Sequence, residues 1–347
     1  MAVTPSAIPL EQSAPSMMSA VMQDRYGTTA VLANRRIARP AISETQVLIE
    51  VRAAGVNIAD WAVMSGLPYI ARPVYGFRRP KHAVRGTDVA GTVIAIGDAV
   101  TRFGPGDEVF GSADGSYADY ASAAEDQLAP KPTNLTWEQA AAAPMAGLVA
   151  LQALRDVGEG QKVLINGASG GIGTFAVQIA KAVGAHVTGV CSTRNLELVR
   201  SLGADEVIDY TKVNFTETGQ SYDLILDNVS NHSLSDLRRA LAPTGTLIPN
   251  GGNFGNRWFS SAGRLMAGKV TFRSGGQKMR NFLVSIKADD LRPLTELIES
   301  GKVTPVIDRT YPLSEAAQAI SYVGSGRSRG KVAISVLPTK SAATATH

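Results

Sequence analysis

Four glycines in one short loop are the residues of this chain best suited to binding a charged ligand. Gly167, Gly170, Gly171 and Gly173 directly follow the apolar stretch 162–166. Glycine lets the backbone turn tightly and approach a ligand closely. An apolar helical pattern comes next, and the start of a helix presents unpaired N–H groups and a positive dipole end to an anion. The loop therefore predicts a site for the pyrophosphate of a dinucleotide.

Two dinucleotide-binding patterns fit this loop. Ala168-x-Gly170-x-x-Gly173 is a dinucleotide fingerprint in which alanine replaces the first glycine. The alternative, Gly-x-x-x-Gly-x-Gly, is typical of short-chain dehydrogenases, which also need a Tyr-x-x-x-Lys pair further along the chain. No tyrosine of this sequence is followed by a lysine four residues later. The sequence therefore favours the first pattern.

The residues after the second apolar run of this unit bear on the choice of cofactor. An NAD enzyme usually has an aspartate or glutamate there, which binds the ribose hydroxyls. This chain has Ser192, Thr193 and Arg194 instead, with no carboxylate among them to repel a 2′-phosphate. The hydroxyls can donate hydrogen bonds, and the guanidinium supplies the charge that a phosphate needs. The sequence predicts NADPH rather than NADH; an ordinary solvated arginine is the alternative interpretation.

The elements that must position these residues alternate along the second part of the chain. Six near-continuous apolar runs predict strands buried on both faces: 162–166, 186–191, 206–210, 222–228, 245–250 and 270–273. Three helical patterns lie between them: 174–183, 195–202 and 233–241. This alternation predicts an α/β fold with a doubly wound parallel sheet of the Rossmann type.

The first part of the chain predicts a mostly-β unit. Short strand patterns are separated by Gly, Pro and Asp turns, at 46–56, 88–96, 108–110 and 117–121. No long helical period precedes 137–143. Further elements are a helix connecting the two units, a later helix and a closing strand, predicted at 144–156, 291–300 and 331–337.

Composition and charge argue against several classes of function. The formal net charge is only +4 and the basic residues are scattered, which does not suit a nucleic-acid surface. No apolar run is long enough to predict a membrane span. The single cysteine, Cys191, excludes an intrachain disulfide. The N-terminal residues do not have the pattern of a signal peptide, so we expect a cytoplasmic enzyme with a flexible tail at 1–19.

These residues together resemble the medium-chain dehydrogenase/reductase superfamily, in particular its zinc-free quinone oxidoreductase branch, the group of the reticulon-4-interacting protein. The motifs that carry the resemblance are 54–61, 86–91, 104–111, the glycine loop, 202–210 and 329–332. The resemblance implies a GroES-like mostly-β catalytic domain, formed by 20–145 and 285–347, and a Rossmann dinucleotide-binding domain at 146–284. It also implies an active site in the cleft between them and, often, a homodimer.

The zinc ligands of other members of this superfamily are replaced in this chain. Asn57 stands where zinc-dependent members have their first cysteine ligand, and Thr87 stands where they have a histidine. A four-cysteine structural site cannot be built from a single cysteine. The sequence therefore predicts that no zinc is used.

Without a metal to polarise the substrate oxygen, acceptors that are already electrophilic are favoured. Quinones and α,β-unsaturated carbonyls fit, because conjugation spreads the developing charge onto oxygen. We expect Asn57 to orient the acceptor carbonyl or a nearby water, and Asp60 to brace the Asn57 loop or the ribose. Tyr69 and Tyr75 are candidates to donate a proton or to stack on a quinone; the alternative is that they only form the wall of the cleft.

The resemblance also implies which residues contact the cofactor. The pyrophosphate residues follow Ala168 in the fingerprint and are Ser169, Gly170, Gly171, Ile172 and Gly173. Tyr210 joins Ser192 and Arg194 at the adenosine 2′-phosphate. The nicotinamide riboside is expected to meet residues after the fourth and fifth strands, namely Asn228, Asn250 and Gly251. Lys331 matches a C-terminal lysine that reaches the cofactor, whereas Val149 replaces a threonine common near the nicotinamide.

Three functions remain open at this point. The first is an NADPH-dependent reductase of a small-molecule quinone, enone or enal. The second is a zinc-independent, NADP-dependent alcohol or carbonyl reductase, and the third is a non-catalytic NADPH-binding regulatory protein. We expect the loops 66–82 and 254–276 to shape the acceptor pocket. The aromatic insertion 254–259 either lines that pocket or packs in a dimer contact.

Overall fold

The computed structural model of the chain describes residues 16–251, 262–273, 275–282 and 284–336. Within these ranges the protein has an α/β fold with two large sheets and a two-stranded N-terminal hairpin. The first strand begins at Met17, inside the segment 1–19 expected to be a tail. The aromatic insertion 254–259 lies outside the described residues.

The strands follow one another along the chain in three sheets. They are β1 Met17–Gln23, β2 Leu32–Ala38, β3 Gln46–Val56, β4 Asp88–Ile96, β5 Glu108–Ser112, β6 Tyr120–Ala124, β7 Leu128–Pro130, β8 Lys162–Asn166, β9 His186–Cys191, β10 Glu206–Asp209, β11 Tyr222–Asp227, β12 Leu241–Pro249, β13 Lys278–Met279, β14 Ile307–Pro312 and β15 Lys331–Ser335.

The α-helices pack against these sheets or connect them. They are α1 Ile58–Ser65, α2 Arg72–Tyr75, α3 Trp137–Ala142, α4 Pro144–Leu154, α5 Gly171–Ala182, α6 Leu196–Ser201, α7 Leu234–Arg239, α8 Ala262–Thr271, α9 Ala288–Glu299 and α10 Ala316–Gly324. None of the helices in the described ranges is both long enough and apolar enough to cross a bilayer.

The larger sheet has the strand order β14-β15-β3-β4-β5-β7, with β6 also paired to β3. Strand β3 alternates in its first half, so that Val47, Ile49 and Val51 are buried while their neighbours are partly exposed. This is the pattern of a sheet with one face on a core. Strand β15 comes from the far end of the sequence and pairs antiparallel with β3. The C-terminal segment is therefore a structural part of the first sheet.

The second sheet has the order β10-β9-β8-β11-β12-β13, and every pairing in it is parallel. The strand order reverses between β8 and β11. In open α/β sheets a ligand binds at this reversal, in the crevice beyond the carboxyl ends of the strands. The glycine loop follows β8 directly, so the topology brings it to that crevice.

One hydrophobic core extends across both sheets. It includes Ala53 and Phe110 from the first sheet, Val163 from the second, and Leu148 of the connecting helix α4. Helix α4 is buried almost all round, which is why its sequence is apolar without a clear polar face. The two sheets are thus held to a common core rather than joined by an open linker.

Most predicted strands and helices are present, but two strand predictions are wrong. Residues 270 and 271 are the last two of α8, 272 and 273 follow it, and the sixth strand of the parallel sheet is β13. A short apolar run cannot distinguish a strand from a helix end, and here Phe272 packs against the core cluster that contains Leu237. The predicted strand 117–121 begins later, at Tyr120. Tyr117 is bonded to β1 instead, because its carbonyl oxygen accepts a hydrogen bond from Val21 N. Pairing with β3 begins only at Tyr120.

Candidate active site

The glycine loop has the geometry expected of an anion site. Strand β8 ends at Asn166, Gly167 has φ of 80°, and α5 begins at Gly171 after an N-cap, Gly170, that makes no side-chain hydrogen bond to the helix. A Cβ on Gly173 would lie 2.2 Å from the Gly167 carbonyl oxygen. Only glycine allows this close approach, which leaves the first N–H groups of α5 facing outward.

A cavity of about 830 Å³ lies between the two sheets, in front of this loop. The loop residues that line it are Ser169, Gly170, Gly171, Ile172 and Gly173. Ala168 is fully buried and packs in the core instead. A cavity of this volume is within the range of small-molecule and cofactor sites.

The adenosine end of the cavity contains three of the predicted residues. Ser192, Arg194 and Tyr210 line it, and the Arg194 guanidinium donates to the Arg327 carbonyl oxygen at 2.9 Å. Thr193 does not line it, because its hydroxyl points away and donates to Asp209 Oδ2 at 2.6 Å.

Asp209 is a carboxylate in this region that lies outside residues 192–194, from which the sequence predicted NADPH. Hydroxyl groups of Thr193 and Thr211 donate to it and hold its pKa below the ordinary value. The carboxylate is buried and is not among the residues lining the cavity. Its charge is therefore directed to neighbouring hydroxyls rather than to the space in front of Arg194.

The carboxyl ends of β11 and β12 form the middle of the cavity wall. Asn228, Asn250 and Gly251 line it, as predicted. Asn250 Nδ2 donates to Asn228 Oδ1 at 2.7 Å. The Asn228 side-chain nitrogen is buried and has no hydrogen-bond partner among the described residues. A buried amide donor without a partner is costly, and a polar ligand in this cavity would satisfy it.

Asn57 lies at the opposite end of the cavity, at the N-cap of α1. The helix begins here because Asp60, in its first turn, accepts from the Asn57 backbone N–H at 2.8 Å. Asp60 is buried below the cavity wall and does not line it. Its contact is with the Asn57 loop, consistent with the bracing role expected from sequence.

The Asn57 side chain is bound on both edges of its amide group. Its Nδ2 donates to Asp88 Oδ2 at 2.9 Å, and its Oδ1 accepts from the Lys331 ammonium. The same ammonium donates to the Val56 carbonyl oxygen at 3.0 Å. Asp88 Oδ2 also accepts from Met145 N at 3.2 Å. Strands β3, β4 and β15 of the first sheet and the connecting helix α4 thus meet at one amide.

Burial shifts the pKa values of the ionisable groups around Asn57. The pKa of Asp88 is raised to about 6, chiefly by burial and against the effect of Lys331. Burial lowers the pKa of Lys331 and raises that of Asp60. Tyr117, whose hydroxyl hydrogen-bonds to Asp60, has a pKa well above the ordinary value for the same reason. The charged forms of these groups are therefore poorly solvated, and their stability depends on the neighbouring charges and hydrogen bonds.

Two groups beside Asn57 have contacts that the sequence did not indicate. The ammonium of Lys331 contacts Asn57 and Val56; the residue also lines the cavity beside Gly171, and a contact with the cofactor stays a prediction. Asp88 stands in the sequence only as part of the motif 86–91. The signal that could have found it is a carboxylate at the start of an otherwise apolar, buried strand, because such a group needs a specific partner.

Tyr69 and Tyr75 are not among the residues lining the cavity. Tyr69 is partly exposed and its ring lies 4.6 Å from the Arg72 guanidinium. Burial raises the pKa of Tyr75. The structure therefore does not bring either phenol to Asn57, and a direct role for them stays a prediction.

The side chains around Asn57 do not form a zinc site. Zinc in proteins is bound by thiolate, imidazole or carboxylate ligands, whereas the group nearest the Asn57 amide is an ammonium. Among the described residues no three His, Cys, Asp or Glu side chains are grouped to hold a metal. Cys191 lines the other end of the cavity, and burial raises the pKa of its thiol to about 11. The side chains that contact Asn57 therefore do not fit a zinc ion.

Two family profiles match the chain. The profile described as alcohol dehydrogenase GroES-like domain matches residues 43–133, and the profile described as zinc-binding dehydrogenase matches residues 202–334.

Three relatives are similar over nearly the whole chain. The mouse (Mus musculus) NAD(P)H oxidoreductase RTN4IP1, mitochondrial, is 36% identical over 93% of this chain and 90% of that protein. The Arabidopsis thaliana chloroplast envelope quinone oxidoreductase homolog is 32% identical over 92% of this chain and 98% of its own. The NADPH-dependent alkenal/one oxidoreductase, chloroplastic, of Arabidopsis thaliana is 33% identical over 94% of this chain and 82% of its own.

A solved structure shares the fold. The quinone oxidoreductase from Coxiella burnetii superposes with a TM-score of 0.81 at 29% sequence identity, over 93% of this chain and 100% of that one. The shared fold therefore extends over nearly all of each chain.

Proposed function

The chain belongs to the medium-chain dehydrogenase/reductase superfamily, in its zinc-free quinone oxidoreductase branch, and from that premise we propose that this nicotinamide-dependent oxidoreductase transfers hydride from NADPH to a quinone or an α,β-unsaturated carbonyl compound. In this proposal 20–145 and 285–347 form the catalytic domain and 146–284 the dinucleotide-binding domain.

The observation that carries the proposal is one continuous cavity. It has the glycine loop at one part of its wall and the Asn57 amide at another. Met145, Val149 and Ile58 give the wall near Asn57 an apolar character. A cofactor held by the loop and an acceptor held by the amide would therefore share one partly apolar space, as hydride transfer requires.

The choice of NADPH rests on the adenosine end of the cavity. Ser192, Arg194 and Tyr210 offer two hydroxyls and a guanidinium to a 2′-phosphate. The Asp209 carboxylate nearby already accepts hydrogen bonds from Thr193 and Thr211. Supporting this choice, one relative carries the name NADPH-dependent alkenal/one oxidoreductase.

The chain's own residues have three tasks in the proposed reaction. The N–H groups at the start of α5 bind the pyrophosphate, and the Asn57 amide binds the acceptor's carbonyl oxygen. The apolar wall around Val149 excludes water from the reacting atoms. The reduced nicotinamide, when bound, supplies the hydride. Negative charge then develops on the acceptor oxygen, where the amide N–H stabilises it until water delivers a proton.

A spectrophotometric screen of NADPH oxidation tests the proposal. The panel contains a benzoquinone, an enone, an enal and a simple ketone, with metal analysis of the same preparation. We expect turnover of the first three, little turnover of the ketone, and no stoichiometric zinc. Preferred reduction of the ketone would favour the carbonyl reductase, and tight NADPH binding without any turnover would favour the non-catalytic protein.

A further inference from the structure

The Asn57 amide is held in one orientation by two groups of opposite character. An ammonium has donors and no acceptor, so the atom facing Lys331 must be the amide oxygen. An ionised carboxylate has acceptors only, so the atom facing Asp88 must be the amide nitrogen. Both neighbours independently require the same orientation. The usual ambiguity between the two ends of an asparagine side chain is therefore removed.

The backbone at Asn57 is fixed as firmly as its side chain. Asp60 accepts from Asn57 N, and Lys331 donates to the carbonyl oxygen of the preceding residue, Val56. Asp88 is itself held by Met145 N. All of the side chains involved are buried, with Asp88 fully inaccessible and Lys331 3% exposed. The amide can neither rotate nor move away without breaking several buried hydrogen bonds.

One N–H of this amide remains for a ligand. Its nitrogen carries two hydrogens, of which one is directed to Asp88. Asn57 lines the cavity and is 7% exposed there. The oxygen, by contrast, faces the Lys331 ammonium. The group that Asn57 offers to an acceptor in the cavity is thus an N–H and not a carbonyl oxygen.

We infer that Lys331 and Asp88 are positioning residues, which fix Asn57 as a hydrogen-bond donor to an acceptor oxygen that becomes negatively charged during the reaction. This inference rests on the proposed function and adds the roles of the two residues. Lys331 also withdraws electron density through the amide oxygen, which strengthens the opposite N–H as a donor. The site then suits quinones and enones, whose reduction places an anion on oxygen.

Buried charges are often no more stabilising than apolar residues of the same volume, which supports a role in orientation. Lys331 and Asp88 lie on opposite edges of the amide and are linked through it. Removing only one partner, however, leaves a buried unpaired charge. The test therefore needs both a single variant, Lys331→Met, and a double variant, Asp88→Asn with Lys331→Met, which leaves no lone charge behind.

A double-mutant cycle between Lys331 and Asn57 tests the inference. We measure kcat and KM for a benzoquinone and an enone, with the NADPH Kd from fluorescence titration, in wild type, Asn57→Ala, Lys331→Met and the combination. We expect Asn57→Ala to lower kcat about 100-fold, as the loss of one oxyanion donor does. Lys331→Met should lower it about 10-fold, and in the Asn57→Ala background it should add less than about 2-fold.

The NADPH Kd distinguishes positioning of Asn57 from a direct role of Lys331 in cofactor binding. The NADPH Kd of Lys331→Met should stay within about 3-fold of wild type, because the ammonium acts on the amide. Lys302→Met, an exposed lysine far along the sequence from the cluster, is the matched control and should leave kcat unchanged. If circular dichroism shows that Lys331→Met is unfolded, the same cycle is completed with the double variant in its place.

The outcomes separate this inference from the proposed function. An additive cycle, or an NADPH Kd that rises as much as kcat/KM falls, would overturn the positioning role while leaving the proposed reaction intact. Wild-type protein that reduces neither the quinone nor the enone would overturn the proposed function and the inference together.

Discussion

Asp88 is the single residue whose environment most directly links the site to pH. Its carboxyl is fully buried, and its pKa is raised to about 6. Above that pH the carboxylate accepts from Asn57 Nδ2, whereas below it the protonated group loses part of that capacity. We expect kcat/KM to be level above about pH 6 and to fall below it. A pH profile with a benzoquinone measures this.

Two variants assign the fall in the pH profile to Asp88. Asp88→Asn should remove it, because no group titrates at that position. Lys331→Met should shift it to higher pH, since the ammonium lowers the pKa of this carboxyl. The other groups facing Asp88 are Asp60, whose charge raises its pKa, and the Met145 N–H. An unchanged inflection in Asp88→Asn would show that another group titrates.

Arg194 is the residue on which the choice of cofactor depends. Its guanidinium lines the adenosine end of the cavity, where a 2′-phosphate would make charge-assisted hydrogen bonds. We expect Arg194→Ala to lower kcat/KM for NADPH by about 10- to 100-fold and to leave that for NADH nearly unchanged. Arg200→Ala, at an arginine of α6 paired with Glu197, is the control. Equal losses with both cofactors would contradict the assignment.

The family resemblance pointed to Asn57, and the residue types after the second strand of the parallel sheet pointed to Arg194, because each lies in a local pattern of the sequence. Asp88 and the contact made by Lys331 could not be found in that way. Their meaning depends on two separate pairings of β3, with β4 for Asp88 and with β15 for Lys331, which bring the two residues to one amide. Thr193 was also beyond local reasoning, since its hydroxyl bonds to Asp209 on the neighbouring strand.

The turn from β8 into α5 tolerates no added atom at Gly173. A Cβ there would lie 2.2 Å from the Gly167 oxygen and 2.7 Å from the Ala168 backbone. We expect Gly173→Ala to abolish measurable NADPH binding and to reduce the free energy of unfolding by about 1–3 kcal/mol. Gly158→Ala, at a glycine with no heavy atom within 4 Å of the added carbon, should change it by less than about 0.5 kcal/mol. Fluorescence titration and urea unfolding measure both effects.

An ion pair connects helix α8 to the parallel sheet. Arg264 Nη2 donates to Asp227 Oδ2 at 2.9 Å, and Asp227 is fully buried at the end of β11. Arg264→Met would leave this buried carboxylate without its cationic partner, so urea unfolding should show a loss of about 3–5 kcal/mol. Arg239→Met breaks an exposed pair with Asp236 and should cost less than about 1 kcal/mol. Similar losses in the two variants would contradict the anchoring role.

The order of strands and helices was largely predicted from the sequence, but helices α1 and α8 were not. Apolar runs such as 186–191 predict buried parallel strands because both of their faces must be covered. Helix α1 was missed because its eight residues are too few to show a helical period, and its start depends on the Asp60 contact. Helix α8 was mistaken for a strand because its last residues are apolar and β-branched.

At the scale of the whole molecule, the proposed cofactor would contact both sheets at once. The cavity is lined by Asn57 from the first unit and by Gly171 from the second. A ligand that binds only the folded protein stabilises it by mass action, by about 2.7 kcal/mol at 100 times its Kd. We expect NADPH at that excess to raise Tm by about 4 °C. NADH at the same concentration should raise it less, and equal shifts would argue against a 2′-phosphate site.

Strand β15 gives the protein an order of assembly during synthesis. The parallel sheet, the glycine loop and Asn57 all leave the ribosome before Lys331 is added to the chain. Until then β3 has an unpaired edge, Asn57 has no ammonium beside it, and Gly330 cannot donate to the Ser169 carbonyl oxygen. A nascent chain that stops before β15 therefore lacks the partner of the β3 edge and the ammonium beside Asn57, so the surroundings of this amide are complete only after translation has passed residue 331.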